Sequence, residues 1–139
     1  MTRLHRHPVR VYFEDTDAGG IVYHSCYLNF AERARTEMVR ELGVSQQALL
    51  QTGTAFAVRR AALDYLRPAR LDDLLVVETQ VRAVGGATVE LDQTIRRDDD
   101  GTELVRLDVR LGYITLSGRP ARLPAALRGL FETWISERR

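Results

Sequence analysis

No lysine occurs anywhere in the 139 residues; all 20 basic side chains are arginine. Schiff-base chemistry on a lysine amine is therefore excluded, and any phosphate must be met by arginine's planar fork. The single cysteine, Cys26, excludes an intrachain disulfide and agrees with a reducing compartment. No apolar run approaches the roughly 18 residues of a membrane-spanning helix. The opening stretch MTRLHRHPVRVYFE has neither the apolar core nor the small-residue cleavage site of a secretory signal, so the expected location is the cytoplasm. Nor is one sign of charge in excess: 20 arginines against 19 acidic side chains leave +1, which offers nucleic acid or an anionic membrane no electrostatic hold. A P-loop, a Rossmann fingerprint and a G-x-S-x-G elbow are all missing. A serine triad is thus set aside, and a hydrolase built on this chain would have to work through a carboxylate.

What is present fits one globular domain over residues 1–139, with 45% hydrophobic and 28% charged side chains. Residues 9–14, VRVYFE, alternate as a first strand does. A polar, glycine-bearing loop, EDTDAGGIVYHS, then leads into a helix whose apolar stripe is Tyr27, Phe30, Ala31, Ala34, Met38 and Leu42. Arg33, Arg35, Glu37, Arg40 and Glu41 fall elsewhere on that cylinder, Gly43 is placed to end it, and Ser45 to cap a short helix through about residue 50. Segments 55–66, 73–84, 87–97 and 103–116 read as strands, with Gly85-Gly86 and the 98–101 turn supplying hairpins and Pro68 dividing the first two. The stretch ALRGLFETWISERR reads as a terminal helix with Leu127, Leu130, Phe131 and Trp134 on one side. The order β-α-β-β-β-β-α predicts an antiparallel meander with one long helix on its apolar face, an α+β fold.

One stretch concentrates reactive groups. Asp15-Thr16-Asp17-Ala18-Gly19-Gly20-Ile21-Val22-Tyr23-His24 sets two carboxylates, two glycines and a histidine just before a helix start. Such a start offers unpaired N–H groups and the positive end of a helix dipole, which can bind a developing oxyanion. A nearby carboxylate can then act as nucleophile or general base. The bland alternative makes Asp15 and Asp17 turn residues and His24 a surface imidazole. A calcium loop fails, because its fifth position would be Gly19 and its twelfth Cys26. His5 and His7 form an H-x-H with no third ligand at a sensible spacing, and read as an exposed pair. Cys26 reads as a small packed hydrophobe.

The run VRVYFEDTDAGGIVYHSCYLNFAERARTEMVRELG resembles the 4-hydroxybenzoyl-CoA thioesterase family, and within it the subgroup associated with the Tol–Pal envelope system. ALDYLRPARLDDLLVVET is similar to the same subgroup. The resemblance implies a hotdog fold, in which an antiparallel sheet wraps one long helix. It also implies a homo-oligomer, dimer or tetramer, with active sites at the dimer interface and hydrolysis of acyl-CoA without metal or other cofactor. By position, Asp17 matches the family's catalytic carboxylate. The backbone N–H of His24 matches the carbonyl-polarising donor, and its imidazole a histidine used in the subgroup. Tyr23, inside the same motif, and Arg59 are the candidate substrate contacts, and Asp15 looks like a loop-fixing residue.

Two departures from the family pattern stand out. Phe13 occupies a position where some relatives carry tyrosine, and strand alternation would turn Tyr12 to the opposite face. The basic cluster of the 4-hydroxybenzoyl-specific relatives is replaced by Gly85-Gly86, leaving Arg82, Arg59 and Arg60 as substitutes for the nucleotide phosphates. Two alternatives stay open at this level. One is a hotdog dehydratase or hydratase pairing a histidine with a helical acid such as Glu32 or Glu37. The other is a non-catalytic acyl-thioester-binding or envelope-associated scaffold.

Overall fold

The computed structural model describes residues 3–135. Strand β1 spans His5–Arg10 and is followed by a short 3-10 turn at Phe13–Asp15. Helices α1 (Cys26–Glu41) and α2 (Gln46–Gln51) precede strands β2 (Thr54–Tyr65), β3 (Leu74–Val84), β4 (Thr88–Arg97) and β5 (Glu103–Thr115), and helix α3 covers Ala125–Glu132. The five strands form one antiparallel sheet in the order β1-β3-β4-β5-β2.

Period-2 burial decides which face of the sheet carries the core. Leu75, Val77 and Val81 on β3, Val89, Leu91 and Ile95 on β4, and Leu107, Val109 and Leu111 on β5 all point inward. Tyr27, Phe30, Ala31, Ala34 and Met38 of α1 are buried in the same cluster. The two alanines leave room for a close approach of the helix to the sheet. Gly43, with φ +89°, takes the left-handed position just past the end of α1, and Ser45 Oγ accepts the Ala48 N–H at 3.1 Å, as expected. At the far end, Leu127 and Phe131 of α3 are buried, and the Phe131 ring meets Phe56 edge-on at 5.5 Å. Leu130 stays exposed, and helix α3 stops at Glu132; the part of the expected helix beyond residue 135 lies outside the described residues.

Three expectations are corrected. The first strand lies earlier than residues 9–14, because the Asp15 carboxylate takes the Tyr12 N–H at 2.8 Å and winds residues 13–15 into a turn. Tyr12 and Phe13 are consequently both exposed, at 62% and 80%, rather than on opposite faces of a strand. The meander comprises β3-β4-β5 alone. Strand β2 lies beyond β5 at the other edge, and residues 66–73 cross over to β3, bonding on the way to the loop that precedes α1 and to its first turn. Arg35, expected on the polar side of α1, is only 9% exposed and reaches into the core.

Candidate active site

The Asp15–His24 loop is a narrow hairpin standing on the crossover. Thr16 bridges Val22, the Asp17 N–H donates to Ile21 O at 2.9 Å, and Gly20 N–H to Asp17 O at 3.1 Å. Gly20 closes this turn at φ +78°, a conformation that side-chain-bearing residues avoid. Ile21 bridges Arg70, and Val22 N–H donates to Ala69 O at 2.9 Å. The Tyr27 hydroxyl, projecting from the first turn of α1, accepts the Ala69 N–H at 3.0 Å. Burial pushes that phenol's pKa up, so it stays neutral in this role. Loop, helix start and crossover are thereby fixed to one another.

Within this frame Asp15 does hold the loop. Its carboxylate binds Tyr12 N–H, and its carbonyl accepts the Tyr23 N–H at 2.9 Å. The Asp17 side chain is exposed, and its Oδ1 accepts the Gly19 N–H at 2.8 Å, which orients the carboxylate and leaves Oδ2 available. Ser25, the N-cap of α1, makes no side-chain cap, and no acceptor among the described residues takes the His24 N–H. The helix start therefore presents unclaimed donors. The His24 carbonyl accepts the Tyr65 hydroxyl at 3.0 Å, and its ring lies 4.4 Å from that of Tyr23.

A cavity of about 340 Å³ opens beside the loop, walled by Ile21, Val22, His24, Tyr27, Tyr65 and Pro68, with Arg67 at its edge. It is mostly apolar with a few polar groups, the ordinary character of a small-molecule site. Asp17, Tyr23 and His24 share one loop, but only His24 of the three lines the cavity. Sequence reading missed Tyr65 and Tyr27. A tyrosine ending a strand, or sitting on a helix's apolar stripe, signals only packing until its hydroxyl's partner is known.

Arg59 stands apart. The β2–β5 register shifts between Val58 and Arg60, so Arg59 is the extra residue of a β-bulge, six residues from Tyr65 and about 20 Å along the strand. A Cβ on Gly112 would lie 2.6 Å from the Arg59 Cδ, so the arginine stem uses the space that the glycine leaves. Neither Arg59 nor Arg60 makes an ion pair among the described residues. Arg82, by contrast, is held by three carboxylates: Glu90 and Asp108, each at 2.8 Å, and Asp92. Its charge is already matched, so it is corrected as a substitute for binding phosphate.

The remaining candidates resolve as packing. Cys26 is half-buried against the core, and desolvation pushes its thiol pKa up, away from a reactive thiolate. His5 is not exposed as expected but 6% accessible, with Nε2 3.4 Å from Glu41 and its ring 6.0 Å from that of Trp134. Among the described residues, no three His, Cys, Asp or Glu side chains are placed to hold a metal ion. Among the same residues, no helix is long and apolar enough to cross a membrane.

The chain is similar to known proteins over most of its length. Residues 19–104 match the model of the thioesterase superfamily. The acyl-CoA thioester hydrolase YbgC of Escherichia coli is 52% identical over 132 residues, covering 94% of this chain and 98% of that one. The acyl-CoA thioesterase YbgC of Haemophilus influenzae is 46% identical over 126 residues, covering 89% and 91%. Among solved structures, a probable thioesterase from Bartonella henselae superposes with a TM-score of 0.81 at 36% identity, over 87% of this chain and 99% of that one.

Proposed function

This chain belongs to the thioesterase superfamily, and from that membership and the loop geometry we propose that it is an acyl-CoA thioesterase in which Asp17 is the catalytic carboxylate. What supports the assignment of Asp17 is its place, with Oδ2 free, in the hairpin that leads into α1, whose start holds a His24 N–H that no acceptor among the described residues takes. A thioester carbonyl seated at the start of α1 accepts from that N–H, which gains strength as the oxygen becomes an oxyanion. Asp17 then either attacks the carbonyl carbon, giving a mixed anhydride that water opens, or takes a proton from the attacking water. Both routes release CoA thiol and the free acid. The His24 imidazole and the Tyr23 ring flank the acyl group.

The homo-oligomer belongs to this reading. Among the described residues β2 is a 12-residue edge strand with one side unpaired and with Val58 and Tyr65 exposed at 49% and 50%. An edge of that length supports antiparallel pairing with a second copy. Such pairing carries Arg59 of one copy toward the His24 end of the other, where its guanidinium meets a CoA phosphate. A pair of dimers as a tetramer, a cytoplasmic location and a connection with the Tol–Pal system complete the proposal. The loop motif's resemblance supports the last of these. The test is thiol release from short, long and aromatic acyl-CoAs by purified protein. Hydrolysis is expected, and no release from any of them would remove the assignment.

A further inference from the structure

Arg35 is the least expected charge in the molecule. The residue lies nine-tenths buried, 9% exposed, and its guanidinium makes a single hydrogen bond among the described residues, NH1 to Gln93 Oε1 at 3.0 Å. Gln93 is itself fully engaged, donating to Ala31 O at 3.1 Å and to Thr79 Oγ1 at 2.9 Å. No carboxylate pairs with Arg35 among the described residues; Glu32, one turn earlier and exposed, is the nearest to act on it. An arginine stays charged in any protein, and holding that charge largely away from water without a counter-ion is costly. Folding alone gives no reason to hold it there.

The guanidinium does have an outlet. It lines a cleft of about 200 Å³ between α1 and β2, whose walls include Val39, Phe56, Val58 and Leu111, with Glu32 at the rim. This cleft and the cavity beside His24 both lie against α1 and β2, the cavity at the first turn of the helix and the cleft further along it. Tyr65 of β2 lines the cavity, while Phe56 and Val58 of the same strand line the cleft. The eleven residues from His24 to Arg35 correspond to about 16 Å of helix.

We propose that the Arg35 cleft is an anion subsite that receives a carboxylate at the far end of the acyl group. Half-thioesters of dicarboxylic acids thereby become a favoured substrate class. The proposal rests on the thioesterase reading and adds the substrate's second functional group. A planar carboxylate suits the guanidinium fork, which has N–H groups to spare after Gln93 is served. Val39, Phe56, Val58 and Leu111 carry the methylene segment, with the polar Thr36 and Gln46 beside them. Glu32 repels an anion at the rim, but it is solvated and its field is screened, whereas the buried positive charge at the floor is not.

The experiment compares kcat/KM for ω-carboxyacyl-CoAs and for neutral acyl-CoAs of matched length, as a ratio within each protein. The wild type is expected to favour the carboxylated member by about tenfold or more at its best length, as a charge-assisted bond to a buried partner provides. In Arg35→Gln the ratio is expected to fall to parity, and in Arg35→Lys, which keeps the charge without the fork, to lie between. Should both variants fail to fold, Glu32→Gln tests the same field from the exposed rim, and is expected to raise the ratio. Equal rates for both series in the wild type would overturn the subsite while leaving the thioesterase intact. Should no thioester of either series turn over, binding of the free dicarboxylic acids decides separately. Thermal stabilisation of wild type by a dicarboxylate but not by the matched monocarboxylate supports the subsite, and its absence overturns it.

Discussion

Tyr65, the last residue of β2, donates its hydroxyl to the carbonyl of His24 at 3.0 Å, so the free edge of the sheet and the start of α1 are tied by one bond. The same ring meets Tyr27 edge-on at 5.7 Å. Tyr65→Phe removes the first contact and keeps the second. We expect kcat/KM to fall roughly 2- to 10-fold, the ordinary worth of one hydrogen bond, with little change in Tm. A lowered Tm with unchanged kcat/KM would make Tyr65 a strut and nothing more.

Asp17→Asn separates chemistry from folding cleanly. The asparagine carbonyl still accepts the Gly19 N–H that Asp17 Oδ1 accepts at 2.8 Å, so the turn is preserved. Activity is expected to drop by about 10²- to 10⁴-fold, as for a positioned base or nucleophile. An Asn variant with full turnover and unchanged Tm would reassign the carboxylate.

Gly112→Ala tests Arg59 without touching its charge. The added Cβ would stand 2.6 Å from Cδ and 2.8 Å from Cγ of Arg59, so the side chain must move. If Arg59 meets a CoA phosphate, KM for acyl-CoA rises about tenfold, while a pantetheine thioester lacking the nucleotide is unaffected. Equal changes for both thioesters would locate the effect in the sheet instead.

His5 makes stability depend on pH. Burial lowers its pKa, opposed by Glu41 and Glu37 and reinforced by His7. The unfolded chain therefore takes up a proton at a higher pH than the folded one, and stability rises with pH through the window below about 6.5. Replacing the ring with His5→Phe is expected to flatten the slope of Tm below about pH 6.5. An unchanged slope would place the proton uptake on another group.

Much of this architecture was legible from spacing. The stripe from Tyr27 to Met38 recurs at helical period, and Gly43 and Ser45 act locally where their chemistry puts them. The Asp15–His24 loop stood out by its residue types, which also suit a plain turn, and it was the resemblance to a known family that gave Asp17 its proposed role. Three features were not legible, each for a physical reason. The Asp15–Tyr12 bond bends residues whose alternation still reads as strand. Nothing local tells β2 to lie beside β5, since that pairing joins segments far apart in the chain. Arg35 was assigned to water because arginine usually sits there; its burial depends on Gln93, 58 positions away.

The unpaired side of β2 has a consequence for how this enzyme would behave at low abundance. Under the proposed pairing, each Asp17 loop works with an arginine supplied by another molecule, so the working unit obeys mass action. Diluting the protein below its dimer dissociation constant would separate folded halves, each holding half of the parts. Turnover per molecule would then climb with total protein before levelling off. The cell would set the output of such an enzyme by how much of it is made, more steeply than in direct proportion.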